Sequence, residues 1–207
     1  MRLRNAIPSV MFALLIASTV SGQVVPLDLE QTRPGPVTVT EVNDAVIVAW
    51  PDETGRTWRA TFSLDPGEAL LQSITQGETV VVSNARPFYR AETGTRRGGW
   101  NAFFDYPPSH PDGTQRSQGV FRLRSVTART IGERVELLFD GLSMGVFEGG
   151  VAYTFYPGSR LIQQEAVLTT YDADVAYYYD AGLEMAARAD LTPGRNMQTR
   201  VSYYDTA

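Results

Sequence analysis

An uninterrupted alternation of apolar and polar side chains at residues 57–64 constrains the fold more than any other feature of the chain. Trp58, Ala60, Phe62 and Leu64 share one side of an extended segment, and polar groups occupy the other. A period of two residues is typical of a strand with one buried face, because successive side chains of a strand point to opposite sides. This segment predicts a half-buried β-strand.

Similar segments recur along most of the chain. Asn43-Asp44, Asp140-Gly141 and Pro157-Gly158 supply predicted turns between them. Further strands are predicted at 37–40, 45–50, 79–83, 87–90, 119–129, 134–139, 150–156, 161–170, 175–180 and 200–204. Only 182–190 tolerates a helix. Short strands every 8 to 12 residues predict an all-β fold, an antiparallel β-sandwich with little or no helix, as a single domain over 37–207. The last predicted strand stops close to Ala207, so a domain truncated at its C-terminus, with further C-terminal domains beyond it, is one interpretation.

The first 22 residues have the character of a secretory signal peptide. A basic start, Met1-Arg2-Leu3-Arg4, precedes an apolar run at 6–17 and then small and polar residues. The apolar run is shorter than the roughly 20 residues that cross a bilayer. Residues 23–36 are predicted to form a leader arm. The protein is therefore predicted to be secreted or periplasmic, without a transmembrane segment.

Charge and cysteine content narrow the classes of partner. The chain has 207 residues, a formal net charge of −5 and no cysteine. A net negative charge disfavours nucleic acid as a partner, since phosphate binding needs a basic surface. Without disulfides, burial of apolar side chains alone must stabilise the exported domain.

Residues 145–160, "GVFEGGVAYTFYPGSR", and the following "LIQQEAVLTT" at 161–170 resemble the long meanders of galactose-mutarotase-like sandwiches. The resemblance lies in strand character over about 119–180. It implies a supersandwich-like domain of the kind found in secreted bacterial polysaccharide-active enzymes, often as an accessory domain. Aldose epimerases of this family have a histidine pair and a catalytic glutamate. This chain has a single histidine, His110, so no epimerase residue is carried over.

Residues 96–113, "RRGGWNAFFDYPPSHPDG", form a predicted loop with two possible uses. As catalytic groups, His110 and Tyr106 would serve as acid and base, and Arg97 would bind a substrate carboxylate. That set is what a polysaccharide lyase needs. As a binding surface, the loop would stack sugar rings on aromatic side chains and bond their hydroxyls with polar ones. The carbohydrate-binding candidates are Trp100, Tyr106, Asp105, Arg96 and Arg97.

Acidic residues elsewhere offer weaker candidates. Asp172 and Asp174 have a spacing that suits calcium, but two carboxylates supply too few oxygens, and a turn needs no ion. No cofactor is therefore predicted, with calcium as the alternative. Glu148, Glu165 and Asp140 are the carboxylates that a glycosidase could use if two of them converged.

Three functions follow from the sequence. The first is a secreted, carbohydrate-contacting sandwich that binds a polysaccharide or oligosaccharide, as the N-terminal accessory domain of a larger enzyme. The second is the catalytic domain of a lyase that acts on an acidic polysaccharide. The third is a purely structural or domain-docking sandwich.

Overall fold

A computed structural model of the chain describes residues 25–95 and 114–185. Within these ranges the chain forms twelve strands in two sheets. The five-stranded sheet has the order β1 (Leu27–Gln31), β8 (Val120–Ile131), β9 (Arg134–Met144), β10 (Phe147–Phe155), β11 (Ile162–Thr169). The seven-stranded sheet has the order β12 (Val175–Met185), β6 (Thr79–Thr95), β5 (Leu71–Gln76), β4 (Thr57–Ser63), β3 (Ala45–Pro51), β2 (Thr38–Val42), and β7 (Gln115–Gln118) also pairs with β6.

The predicted all-β fold class is confirmed. The described residues contain no helix, and two mainly antiparallel sheets pack as a sandwich. The alternating stretch that begins at Thr57 is strand β4, and Asn43 turns the β2–β3 hairpin with a positive φ of 53°. No helix in the described ranges has the length and apolar character needed to span a membrane.

Aromatic side chains join the two sheets in the core. Phe62 on β4 is fully buried and contacts Phe139 and Tyr153 of the opposite sheet, with ring centroids 4.8 Å and 4.9 Å away. Trp50 on β3 packs on Phe155 at 4.9 Å. Since the described residues contain no cysteine, these contacts, together with the aliphatic residues around them, stabilise the sandwich by apolar burial.

The segment predicted as a leader arm contributes a strand. β1 pairs in parallel with β8, with Leu27 opposite Val126, while Val25 and Val37 on either side of β1 are buried in the core. Period-two patterning is weak there because β1 is a short edge strand. The predicted signal peptide lies outside the described residues.

Three other expectations differ from the structure. The two short strands predicted at 79–83 and 87–90 are one strand, β6, because the irregular positions Asn84 and Pro87 interrupt the pattern without ending the strand. Asp140-Gly141 is not a turn but lies inside β9, and the chain turns instead after Met144. Residues 182–185, taken as helix-tolerant, complete β12.

A buried aspartate organises the β3–β4 turn. Asp52 is 3% exposed, and its Oδ1 accepts hydrogen bonds from the backbone N–H groups of Thr54 and Arg56 and from the Thr54 hydroxyl. The indole N–H of Trp58 donates to Oδ2 at 3.1 Å. The hydrogen bond from the Thr54 hydroxyl is the largest cause that holds the pKa of Asp52 well below its usual range, and the other donors lower this pKa further. Burial of the carboxylate opposes the shift.

We expect Asp52 to make folding stability depend on acid pH. Because its pKa is lower in the folded state, its contribution is fully present above the ordinary carboxyl pKa and is lost as the pH falls below about 4. Asp52→Asn should lower the thermal midpoint at pH 7 by several degrees and flatten its fall between about pH 5 and pH 2. Thermal unfolding followed by circular dichroism tests this. Asp44→Asn, at an exposed turn position, is the control and should leave the profile unchanged; equal profiles for parent and Asp52→Asn would contradict the assignment.

Candidate functional site

A gap in the seven-stranded sheet lies beside the middle of β6. On one side of β6, β5 pairs only as far as Ala85, and β7 begins to pair at Arg90. Between them, β12 is the only strand of the described residues that pairs with β6. Pro87 occupies this interval and has no backbone N–H to leave unpaired. At the β7 end, the Gly119 N–H donates to the Tyr89 carbonyl at 2.7 Å and closes the gap.

A cleft of about 170 Å³ occupies this gap. Its walls are the β4–β5 turn and the beginning of β8, and its base is β6. The apolar part of its lining comprises Pro66, Leu70, Pro87, Phe88, Phe121 and Leu123, and the charged part comprises Asp65, Glu68, Arg86 and Glu184. Pockets for drug-sized ligands measure about 300–1,000 Å³, so this cleft suits one ring of a ligand rather than a large cofactor.

A bulge in β8 shapes one wall of the cleft. Phe121 pairs with Leu142 and Ser125 with Asp140, so β8 carries two more residues than β9 between these pairs. Gly141 faces the bulge with a φ of 122°, and a Cβ there would lie 1.8 Å from the Arg122 carbonyl oxygen. A β-bulge redirects side chains locally. The bulged segment contributes Leu123 to the cleft.

Arg86 is the cation of the cleft. Its side chain is exposed and forms no ion pair or side-chain hydrogen bond with the described residues. Glu184 faces it in register on β12. A guanidinium without an ion-pair partner retains all its N–H donors for a ligand.

Hydrogen bonds from residues in and next to the β4–β5 turn hold the two carboxylates on the opposite wall. Glu68 accepts hydrogen bonds from the Ser63 hydroxyl at 2.7 Å and from the Gln72 amide. Asp65 accepts the Gly67 N–H at 2.8 Å. These bonds orient the acids before any ligand arrives, which reduces the entropy that binding costs.

Beyond the cleft, the same face of β6 carries charged residues that form ion pairs with neighbouring strands. Arg90 forms an ion pair with Asp180 on β12, and Glu92 forms one with Arg116 on β7, Oε1 to Nε, at 2.9 Å. Glu92 is 7% exposed, and its Oε2 makes no hydrogen bond. Tyr178 stands opposite Glu92, and burial, followed by the neighbouring Glu92 carboxylate, raises the pKa of this phenol to about 12. These groups satisfy one another's charge and border the cleft on one side.

The loop candidates lie outside the described residues. Arg96, Arg97, Trp100, Asp105, Tyr106 and His110 belong to residues 96–113, which connect β6 to β7. The predicted catalytic and sugar-stacking roles of these residues therefore stay predictions.

Asp172 and Asp174 lie exposed in the turn between β11 and β12. The Asp172 N–H donates to the Thr170 hydroxyl at 3.2 Å, and Asp174 has a positive φ of 58°. Both features belong to turn geometry. In the ranges 25–95 and 114–185, no three His, Cys, Asp or Glu side chains group as metal ligands.

The three remaining carboxylates lie on the five-stranded sheet. Asp140 forms an ion pair with Arg124 at 3.0 Å. This hydrogen bond and charge, with a smaller contribution from Glu148, raise the pKa of Arg124. Glu165 is exposed on the edge strand β11. Asp140 is thus engaged by a guanidinium rather than available as an acid.

The cleft residues were not among the candidates from sequence. Two local signals were present: the turn sequence Asp65-Pro66-Gly67-Glu68 and the proline Pro87 at the start of a predicted strand. Neither shows that β5 and β7 leave β6 uncovered at this point, because that depends on the register of three strands.

The chain matches no protein-family model, and a search of curated proteins finds no match. Its function therefore has to follow from the geometry of its own residues.

Proposed function

We propose that this protein is a carbohydrate-contacting β-sandwich that binds a neutral oligosaccharide at the β6 cleft. The supporting observation is that aromatic and charged side chains line the same cleft. Phe88 on β6 and Phe121 on β8 contribute aromatic rings, and Arg86, Asp65 and Glu68 contribute charged groups. Sugars need both features, since their C–H faces pack on aromatic rings and their hydroxyls need donors and acceptors.

Open space beside Phe88 favours this ligand. Gly182 pairs with Phe88 across β12 and β6, and a Cβ at Gly182 would meet no atom within 4 Å. A larger side chain at this position would cover the ring. The glycine leaves room for a flat ligand against the Phe88 side of the cleft.

The charge of the lining favours a neutral sugar over a uronic acid. One arginine stands with three carboxylates, those of Asp65, Glu68 and Glu184. A carboxylated sugar would meet like charges, which costs affinity. Neutral hydroxyls, by contrast, can donate to the carboxylates and accept from the guanidinium.

Several parts of this proposal rest on the sequence alone. Export to the periplasm or the exterior rests on residues 1–22, and an accessory role within a larger polysaccharide-active enzyme rests on the resemblance over 119–180. The lyase alternative rests on Tyr106, His110 and Arg97. An assay for unsaturated uronate products would decide it, since a folded protein that releases none from polyuronates has no such activity.

Retention in gels that contain soluble polysaccharides tests the proposal. We expect at least one neutral polysaccharide to retard the parent protein, and Phe88→Ala to weaken the interaction about tenfold, which corresponds to about 1.4 kcal/mol. Tyr171→Ala removes an aromatic ring that is 97% exposed on the β11–β12 turn and should change nothing.

Arginine variants supply a second matched pair. Arg86→Gln should weaken retention, whereas Arg134→Gln, at an exposed position on β9 away from the cleft lining, should not. If neutral polysaccharides retain the parent, Phe88→Ala and Arg86→Gln alike, the β6 cleft is not the binding site. If none retains the parent while polyuronates do, the ligand class is wrong.

A further inference from the structure

A second groove lies beside the β6 cleft, on the side of β5. It has a volume of about 310 Å³ and is lined by Glu68, Ala69, Gln72, Asn84 and Arg86. Glu68 and Arg86 also line the β6 cleft, so the two spaces meet at these charged side chains. We call the second space the amide groove, because Gln72 on β5 and Asn84 on β6 supply its side-chain amides.

Both amide residues lie at irregular points of their strands. The pairing of β5 with β4 shifts by one residue at Gln72, which forms a bulge. Asn84 has a positive φ of 49°. The two residues lie opposite each other, beside the Leu71–Ala85 pair of β5 and β6. Bulges and left-handed residues redirect side chains and are frequent at functional sites, so their coincidence here indicates a surface shaped for a ligand.

The two amides suit neutral hydroxyl groups. A side-chain amide has two N–H donors and a carbonyl acceptor, so it can bond neighbouring hydroxyls of a sugar ring. Gln72 donates to the Glu68 carboxylate, which orients its amide, while its Oε1 accepts no hydrogen bond from the described residues. Asn84 is exposed, and its amide forms no side-chain hydrogen bond within 25–95 and 114–185. These groups are therefore available to a ligand.

The opposite end of the β6 cleft offers fewer available groups. There the Gly119 N–H donates to the Tyr89 carbonyl, and Arg90 and Glu92 form ion pairs with residues of β12 and β7. A ligand that binds such groups exchanges one hydrogen bond for another, which brings little net gain. A ligand in the cleft gains more by extending over the amide groove.

We propose that the amide groove is a second sugar subsite and that the ligand is a neutral oligosaccharide of at least two rings. This inference rests on the proposed function, because it assumes that one ring occupies the β6 cleft. The cleft, at about 170 Å³, has room for one ring, and the groove, at about 310 Å³, accepts the next. Glu68 and Arg86 then border the bond between the two rings.

An NMR titration of the ¹⁵N-labelled full chain measures the two subsites separately. The probes are the monosaccharide, disaccharide and trisaccharide of the neutral polysaccharide that retards the protein most strongly in gels. We expect the disaccharide to bind at least about tenfold more tightly than the monosaccharide. The disaccharide should shift the side-chain amide signals of Gln72 and Asn84, whereas the monosaccharide should shift the backbone amide of Phe88 and leave those two signals in place.

A glycine substitution isolates the contribution of the Asn84 amide. Asn84→Gly removes the amide and introduces a residue that adopts a positive φ without strain, so it should reduce the preference for the disaccharide to below about threefold. Asn43→Gly is the matched control, since it makes the same change at a φ of 53° in the β2–β3 turn, and it should retain the full preference. Gln72→Met has a similar length without the amide and should reduce the preference as well. It replaces Asn84→Gly if circular dichroism shows that variant to be unfolded.

The outcomes separate this inference from the proposed function. Equal affinities of the parent for the monosaccharide and the disaccharide, with shifts at Arg86 and Phe88, would overturn the second subsite and leave the β6 cleft as the binding site. A preference for the disaccharide that survives both Asn84→Gly and Gln72→Met would overturn it too. If no neutral polysaccharide retards the protein, or no saccharide shifts the Arg86 and Phe88 amides, the proposed function is wrong and this inference with it.

Discussion

Gly141→Ala is expected to destabilise the sandwich by on the order of 4 kcal/mol or more, among the largest effects of any single substitution. Gly141 has a φ of 122°, and an added Cβ would lie 1.8 Å from the Arg122 carbonyl oxygen and 2.7 Å from its carbonyl carbon. Backbone atoms cannot rotate away as a side-chain end can. The β8 bulge must therefore shift or be lost, and urea unfolding measures the cost.

Gly132→Ala separates backbone strain from collision. Gly132 also has a positive φ, 64°, in the β8–β9 turn, but a Cβ there would meet no atom within 4 Å. Its replacement should cost only the strain of a left-handed alanine, about 1–2 kcal/mol. Equal unfolding free energies for the two alanine variants would show that the bulge yields at no cost and that Gly141 is not required.

Phe62→Ala is expected to cost about 3–5 kcal/mol of unfolding free energy. Phe62 is fully buried and contacts Phe139, Tyr153 and Phe155 of the opposite sheet. Removing the ring leaves a cavity between the two layers, and the surrounding rings can refill it only in part. Urea unfolding monitored by tryptophan fluorescence reports the change.

Phe62→Leu is the graded control for this substitution. It retains much of the apolar volume and should cost less than the alanine variant, while Val167→Ala, at a 50% exposed position, should cost almost nothing. A loss below about 1 kcal/mol for Phe62→Ala would contradict a core in which this ring joins the sheets.

The strands with strong alternation were predictable from sequence. The alternation of Trp58, Ala60 and Phe62 identifies the buried face of β4. Asn43, which has a positive φ in the structure, lies in the predicted β2–β3 turn. The alternation of apolar and polar residues is a local property of the sequence, so it can be recognised without knowledge of the fold. β1, β5 and β7 were not predicted because all three are short and carry few apolar residues.

The cleft was not predictable because it is a property of pairing. Arg86 and Phe88 line the cleft because β5 stops at Ala85 and β7 starts at Arg90. Likewise, Asp140-Gly141 is a typical turn dipeptide, yet here Gly141 accommodates a bulge in the neighbouring strand. Local sequence does not show where the pairing of β5 and of β7 begins and ends along β6.

We propose the interval of β6 between β5 and β7 as the binding site for a neutral oligosaccharide. An NMR titration of the ¹⁵N-labelled protein with a neutral oligosaccharide tests it most directly, because each backbone amide reports separately. We expect saturable shifts of the Arg86, Phe88, Gln118 and Leu123 amides, and none at the distant β2–β3 turn around Asn43. Saturable shifts elsewhere that leave these four amides unchanged, or no saturable shift with any neutral oligosaccharide, would contradict it.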